Sequence, residues 1–228
     1  MISNVLFDLD GTLTDPKDGI TRCIQFSLDR LGREAPTADD LVWCIGPPLK
    51  ESFSHLLHTS DNALLNEALH HYRKRYSEIG IYENTVYPDI ASVLQRVHAT
   101  GFRVFLATSK PTVFANRVLN HFGLTRFFHG ICGSELDGRL SDKGDLIAHI
   151  LKTESLEPKL TLIVGDRSHD IFGGKKNGIM TAAVTYGYGT LDEIKASEPD
   201  FIFHSPSDLA AFFETKSVEK PLLTGHNV

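Results

Sequence analysis

The sequence predicts a doubly wound α/β fold, a Rossmann-like parallel-sheet core with an all-helical domain inserted into it. Three observations lead there. Short, almost unbroken apolar runs recur along the chain, as strands covered on both faces require. Helical patterns alternate with those runs from residue 86 onward. Residues 16 to 85 break the alternation with helical patterns alone, which marks an insertion after the first strand. The expected boundaries are 1–15 and 86–214 for the core and 16–85 for the insert. A polar, aperiodic tail over 215–228 reads as mobile.

The strands come first. Val5-Leu6-Phe7 is the first run and ends at Asp8; Arg103 to Ala107 is the second and ends at Thr108. Gly130-Ile131-Cys132, Leu160 to Val164 and Thr181 to Val184 follow, with Phe201-Ile202-Phe203 as a short last strand. Between them, Pro88 opens a helix with Val93, Leu94 and Val97 on its buried face and Gly101 as its stop. Pro111 opens the next, through Val118, Leu119 and Phe122 to Gly123. Proline presets the helical φ where its missing N–H costs nothing, and glycine accepts the left-handed turn after the last residue. Asp145 to Leu151 is a third helix, with Leu146, Ile147, Ile150 and Leu151 inward. The insert carries four amphipathic stretches, Pro16 to Leu31, Thr37 to Val42, Pro48 to Leu57 and Asp61 to Ser77.

Composition removes several classes of function. A net charge of -6 argues against nucleic acid or an anionic membrane as partner. No segment has the apolar length of a membrane span, and the opening residues show no basic leader, so a cytoplasmic location is expected. Cys23, Cys44 and Cys132 form no Cys-x-x-Cys pair and read as reduced core thiols. A monomer or homodimer acting on a small molecule fits this balance.

In open α/β sheets, ligands bind beyond the carboxyl ends of the strands. Those ends supply Asp8 and Asp10, then Thr108, Ser109 and Lys110, then Lys143, then Asp166 and Asp170. Four carboxylates, two hydroxyls and two lysines make a coherent site for a phosphate and a hard cation. Asp8 and Asp10 stand two apart in extended chain, so both face the same way. Asp166 stands at a strand end and Asp170 four residues on, in the first turn of the next helix. There a capping role is the competing reading.

Asp8-x-Asp10-Gly11-Thr12, Thr108 after an apolar strand, Lys143, and Gly165-Asp166-x-x-x-Asp170 resemble the four motifs of the haloacid dehalogenase superfamily, in order. The helical insert resembles that superfamily's α-helical cap, and the resemblance spans residues 3 to 214. Ile45-Gly46-Pro47-Pro48-Leu49 and Ser134 to Arg139 point toward its phosphoglycolate phosphatase-like branch. The resemblance implies a phosphatase with Asp8 as nucleophile, Asp10 as general acid/base and Lys143 as charge compensator. It also implies Mg2+ held by Asp8, Asp166, the Asp10 backbone carbonyl and Asp170 as ligand or outer anchor. Thr108, with Ser109 and Lys110, would bind phosphate. Gly46, Pro47 and Lys50 in the cap would face a small phosphorylated metabolite, phosphoglycolate or a nucleoside 5′-monophosphate. A β-phosphoglucomutase-like phosphotransferase shares every core motif, and a non-catalytic binding protein is a more distant alternative.

Other polar residues have plainer readings. Lys110 is either a phosphate contact or a solvated residue at a helix start. His55, His58, His70 and His71 read as cap surface, and Trp43, Tyr72 and Tyr76 as cap core. Arg22 is a second candidate for setting specificity.

Overall fold

The computed structural model describes residues 2–215. β1 (Asn4–Phe7) lies at the centre of a six-stranded sheet, between β4 (Arg103–Pro111) and β6 (Thr161–Gly165). β5 (Gly130–Ser134) extends the sheet beyond β4. β7 (Met180–Val184) and β8 (Phe201–Phe203) extend it beyond β6. The order is β5-β4-β1-β6-β7-β8, and every pair is parallel.

Alternation along each strand builds two apolar layers. Val5, Phe7, Val104, Leu106, Leu162 and Val164 share one layer with α4 (Ile90–Ala99), α5 (Thr112–His121) and α9 (Pro206–Glu214). Leu6, Phe105, Ala107 and Ile163 face the opposite way, onto Leu146, Ile147 and Ile150 of α6 (Lys143–Thr153). On that side Ile171 of α7 (Ser168–Lys176) and Ile194 of α8 (Leu191–Ser197) cover Ala183. Each fully buried aliphatic or aromatic side chain contributes about 1.5–3 kcal/mol. Two covered faces are what make these strands read as unbroken apolar runs.

The inserted segment is entered and left through a short antiparallel ladder, β2 (Thr14–Asp15) on β3 (Thr85–Val86). Between them lie α1 (Lys17–Arg30), a 3-10 turn (Asp39–Cys44), α2 (Leu49–Leu56), α3 (Asn62–Arg75) and a π turn (Tyr76–Gly80). Ile24 and Leu28 of α1 are buried with Phe53 of α2 and Leu65, Leu69 and Tyr72 of α3. This apolar cluster continues without a break into the layer under the sheet.

Several local expectations shift. The helix expected from Pro88 begins at Ile90, because Asp89 takes a left-handed φ of 65° and interrupts it. Pro111 closes β4 rather than opening α5, and α5 starts at Thr112. The helix expected from Asp145 starts at Lys143, since the Asp142 carboxylate caps it by accepting from Asp145 N. Trp43, expected in the cap core, is 39% exposed. The tail expected over 215–228 lies, from residue 216 on, outside the described residues. Among the described residues no helix is long and apolar enough to cross a membrane.

Candidate active site

The site forms where β1, β4 and β6 end side by side. Asp8 follows β1, and its backbone N–H still donates to Val164 O at 2.9 Å, so the neighbouring strand fixes its position. Asp166 follows β6, and Asp170 lies in the first turn of α7. All three are buried, and an oxygen from each lies within 4.8 Å of the others. Gly11, with a φ of 85°, turns the chain away after Asp10, and a Cβ there would collide with the Asp166 carboxylate. A glycine is required at that turn.

Lys143, the first residue of α6, reaches into this group. Its Nζ donates to Asp8 Oδ1 and to Ala107 O, both at 2.9 Å. It also lies 2.7 Å from Asp170 Oδ1, off the direction of a hydrogen bond. Burial works against the ammonium, but Asp170 and Asp8 outweigh it and its pKa is raised. Three buried carboxylates thus face a single ammonium. The shortfall shows in Asp8, where burial, only partly offset by Lys143, lifts the pKa from 3.8 to about 6. Asp166 is pushed well above the usual carboxylate range by burial and by Asp8 and Asp170, although Tyr188 N donates to its Oδ2 at 2.7 Å.

An all-oxygen set carrying excess negative charge suits a hard divalent cation. Asp170 meets its capping reading and also joins the other acids. It caps α7 by accepting from Arg167 N at 3.2 Å, and it stands in the carboxylate cluster.

Asp10 is held differently. Its Oδ1 accepts from Lys110 Nζ at 2.7 Å, and the same ammonium donates to Tyr76 Oη at 2.7 Å. Lys110 is buried and ion-paired rather than solvated, and it stands on the cavity wall beside Asp10. Desolvation opposes its charge, yet Asp10 and Tyr76 raise its pKa. Thr108 is buried within β4, three residues before its end, and accepts from Lys110 N at 3.2 Å. Ser109 Oγ donates to Ser141 O at 3.5 Å.

A cavity of about 1210 Å³ opens above Asp8, Asp10, Thr108, Ser109 and Lys110. Gly46, Pro47, Pro48, Leu49 and Lys50 of the helical segment form part of its wall, as the sequence suggested for that loop. Arg22 is not on that wall; it pairs with Glu83 at 2.9 Å and Asp18 at 3.2 Å. Of the four histidines read as cap surface, His55, His58 and His70 are exposed and His71 is half-buried.

Arg167 went unread in the sequence although it lies inside the last motif. Its Nε donates to Glu193 Oε1 at 3.0 Å, and its Nη1 donates to Trp43 O at 3.4 Å and also to Ile45 O. It ties the loop before Gly46 to the loop that carries Asp166. Gly46, with a φ of 105°, packs against this side chain. Tyr188 was missed as well. It lies four residues beyond the end of β7, at the same edge of the sheet as the acids.

This fold with these acids is that of a phosphate-processing hydrolase, and comparison with known proteins agrees. Residues 5–184 match the haloacid dehalogenase-like hydrolase family. The chain belongs to that family and is a phosphatase within it. A 5′-nucleotidase of Pseudomonas aeruginosa is 45% identical over 208 residues, covering 91% of this chain and 92% of that protein. The tyrosine-protein kinase PtkA of Mycobacterium tuberculosis is 36% identical over 201 residues, covering 88% of this chain and 68% of that protein. A solved structure described as a predicted phosphatase from Clostridium acetobutylicum superposes with a TM-score of 0.90 at 36% identity, covering 94% of this chain and 100% of that one.

Proposed function

We propose that the chain is a magnesium-dependent phosphomonoesterase that works through an aspartyl-phosphate on Asp8. The observation that carries this reading is Asp8 itself. It is buried on the cavity floor, bonded to Lys143, and grouped with Asp166 and Asp170. Asp8 attacks phosphorus as the ester P–O bond breaks. The electron pair stays on the leaving oxygen, which takes the proton of the Asp10 carboxyl. Asp10, now a carboxylate, then accepts a proton from water as that water attacks phosphorus and the bond to Asp8 breaks. Both carboxyl groups are restored.

Lys143 balances the charge of nucleophile and phosphate, and Thr108 binds a phosphate oxygen. Asp8, Asp166, Asp170 and the Asp10 carbonyl are the residues that would hold Mg2+, which when bound screens the charges of carboxylate and phosphate and orients them.

For the substrate, we favour a nucleoside 5′-monophosphate over phosphoglycolate. A cavity of about 1210 Å³, walled in part by Leu65, Leu69, Tyr72 and Phe114, is large and apolar for a two-carbon acid. A nucleoside supplies the apolar bulk such a wall can bury. The 5′-nucleotidase relative points the same way. Cytoplasmic location, with Cys23, Cys44 and Cys132 as free thiols, and a monomeric or homodimeric state complete the proposal.

The test is hydrolysis of p-nitrophenyl phosphate with and without Mg2+, followed by a ranked panel of phosphate esters. Full activity in excess chelator, or phosphoglycolate ahead of every nucleotide in kcat/KM, would contradict the corresponding part.

The helical segment is also proposed to act as a cap over the site, divided from the core near residues 15 and 86. Closure would shield the aspartyl-phosphate from stray water. Substitutions at Pro47 or Lys50 should then reorder the panel, by about tenfold between best and second substrate, while changing p-nitrophenyl phosphate hydrolysis less. Equal losses on every ester would assign that loop a purely structural role.

A further inference from the structure

We infer that Tyr76 and Lys110 together position the general acid/base, so that the helical segment takes part in aligning Asp10 for proton transfer. This rests on the mechanism proposed for Asp10.

Among the described residues, Lys110 is the one side chain that hydrogen-bonds the Asp10 carboxylate. The bond occupies Oδ1 and leaves Oδ2 for the reacting oxygens. Lys110 comes from the end of β4, where the register with β5 shifts between Thr108 and Pro111. Its second partner comes from elsewhere. Tyr76 belongs to the π turn that ends the helical segment, and its hydroxyl accepts from the same ammonium at 2.7 Å. The Tyr76 ring is fixed on two sides, stacked on Tyr72 at 5.4 Å and edge-on to Phe114 of α5 at 5.3 Å. Its centroid lies 5.1 Å from Lys110 Nζ.

A buried lysine–carboxylate pair is a poor source of stability, because desolvation consumes most of the attraction. Its geometric effect is larger. With Tyr76 in place, the ammonium has two fixed acceptors and therefore one orientation, and the Asp10 carboxyl inherits it. Displacing the helical segment removes one of the two. Core strand and inserted segment therefore both contribute to the alignment of one proton donor.

A positioning role for the proton donor predicts a specific kinetic signature. Proton transfer matters most when the leaving oxygen is a poor leaving group. It matters little for p-nitrophenolate, which departs as the anion. The experiment compares kcat/KM for p-nitrophenyl phosphate and for an alkyl phosphate, using the full chain with Mg2+, because kcat/KM reads the transfer to Asp8 and leaves out the water step that both esters share. Tyr76→Phe keeps the ring contacts and removes only the hydroxyl. It should raise the ratio of the two rates about tenfold by slowing the alkyl ester, the size of one lost hydrogen bond. Lys110→Met should raise the ratio by about a hundredfold, approaching the change in Asp10→Asn.

Parallel losses on both esters in Tyr76→Phe, or unchanged rates on both, would overturn the inference. Asp10→Asn separates the layers of the argument. If it shows no leaving-group dependence, the mechanism proposed for Asp10 fails. If it does and Tyr76→Phe does not, only the positioning inference fails. Should Lys110→Met not fold, as judged by its melting curve, Tyr76→Phe alone decides.

Discussion

Asp8→Asn is expected to abolish turnover, by at least about 10⁴-fold in kcat, with the fold retained. Asparagine matches aspartate in size, so the cavity keeps its shape, but the amide cannot form the acyl phosphate. Stability should not suffer in magnesium-free buffer near neutral pH. There Asp8 is a buried charge beside Asp166 and Asp170, with its pKa lifted to about 6, so its ionised form is disfavoured in the folded state. The melting temperature should stay within a few degrees of the parent protein or rise, as a thermal melt will show. Fluoroberyllate should stabilise the parent protein and leave Asp8→Asn unmoved. Residual activity above about a hundredth of the parent's would remove Asp8 from the nucleophile's role.

Magnesium should stabilise the protein, and more so at pH 8 than at pH 5. The sign follows from the carboxylates. The Asp8 pKa is about 6 in the folded protein against 3.8 for an unperturbed group, so between those values the folded state binds more protons than the unfolded. Stability of the metal-free protein therefore falls as pH rises from about 4 to about 6, and the penalty is complete above that. Asp166, shifted in the same direction, extends the window upward. A cation replaces those protons, so protons compete with it at low pH. At a Mg2+ concentration one hundred times Kd, linkage gives about 2.7 kcal/mol, or roughly 5–10 °C in Tm for a chain of this size. Asp166→Asn should lose most of that rise along with activity. Equal shifts at pH 5 and pH 8, measured by calorimetry in the absence of substrate, would refute the carboxylate site.

What the sequence made legible was whatever is local in the chain. Unbroken apolar runs mark strands covered on both faces, and β1, β4, β6 and β7 stand within a residue or a few of where those runs lie. The acids at the strand ends followed, because a parallel sheet delivers every such end to one edge. That is why Asp8, Thr108 and Asp166 were found without knowing how the strands pair. Helix starts were less legible. Pro88 and Pro111 carry a helix-opening signal, but the φ of Asp89 and the length of β4 decided where α4 and α5 begin.

Tertiary structure alone decided the partnerships. Lys110 read from sequence as a phosphate contact or a solvated side chain, and its burial beside Asp10 removes the solvated reading. Its partners Asp10 and Tyr76 lie 100 and 34 residues away, and no local pattern encodes such a meeting. Arg167 is similar. Its motif marks the loop that carries Asp166, whereas its contacts with Trp43 and Ile45 depend on how the helical segment sits on the sheet. Composition and periodicity record which side chains avoid water, and hence the layers. Which buried charge faces which is fixed only when the layers pack, because a buried ion takes whatever partner the closed fold brings within about 3 Å.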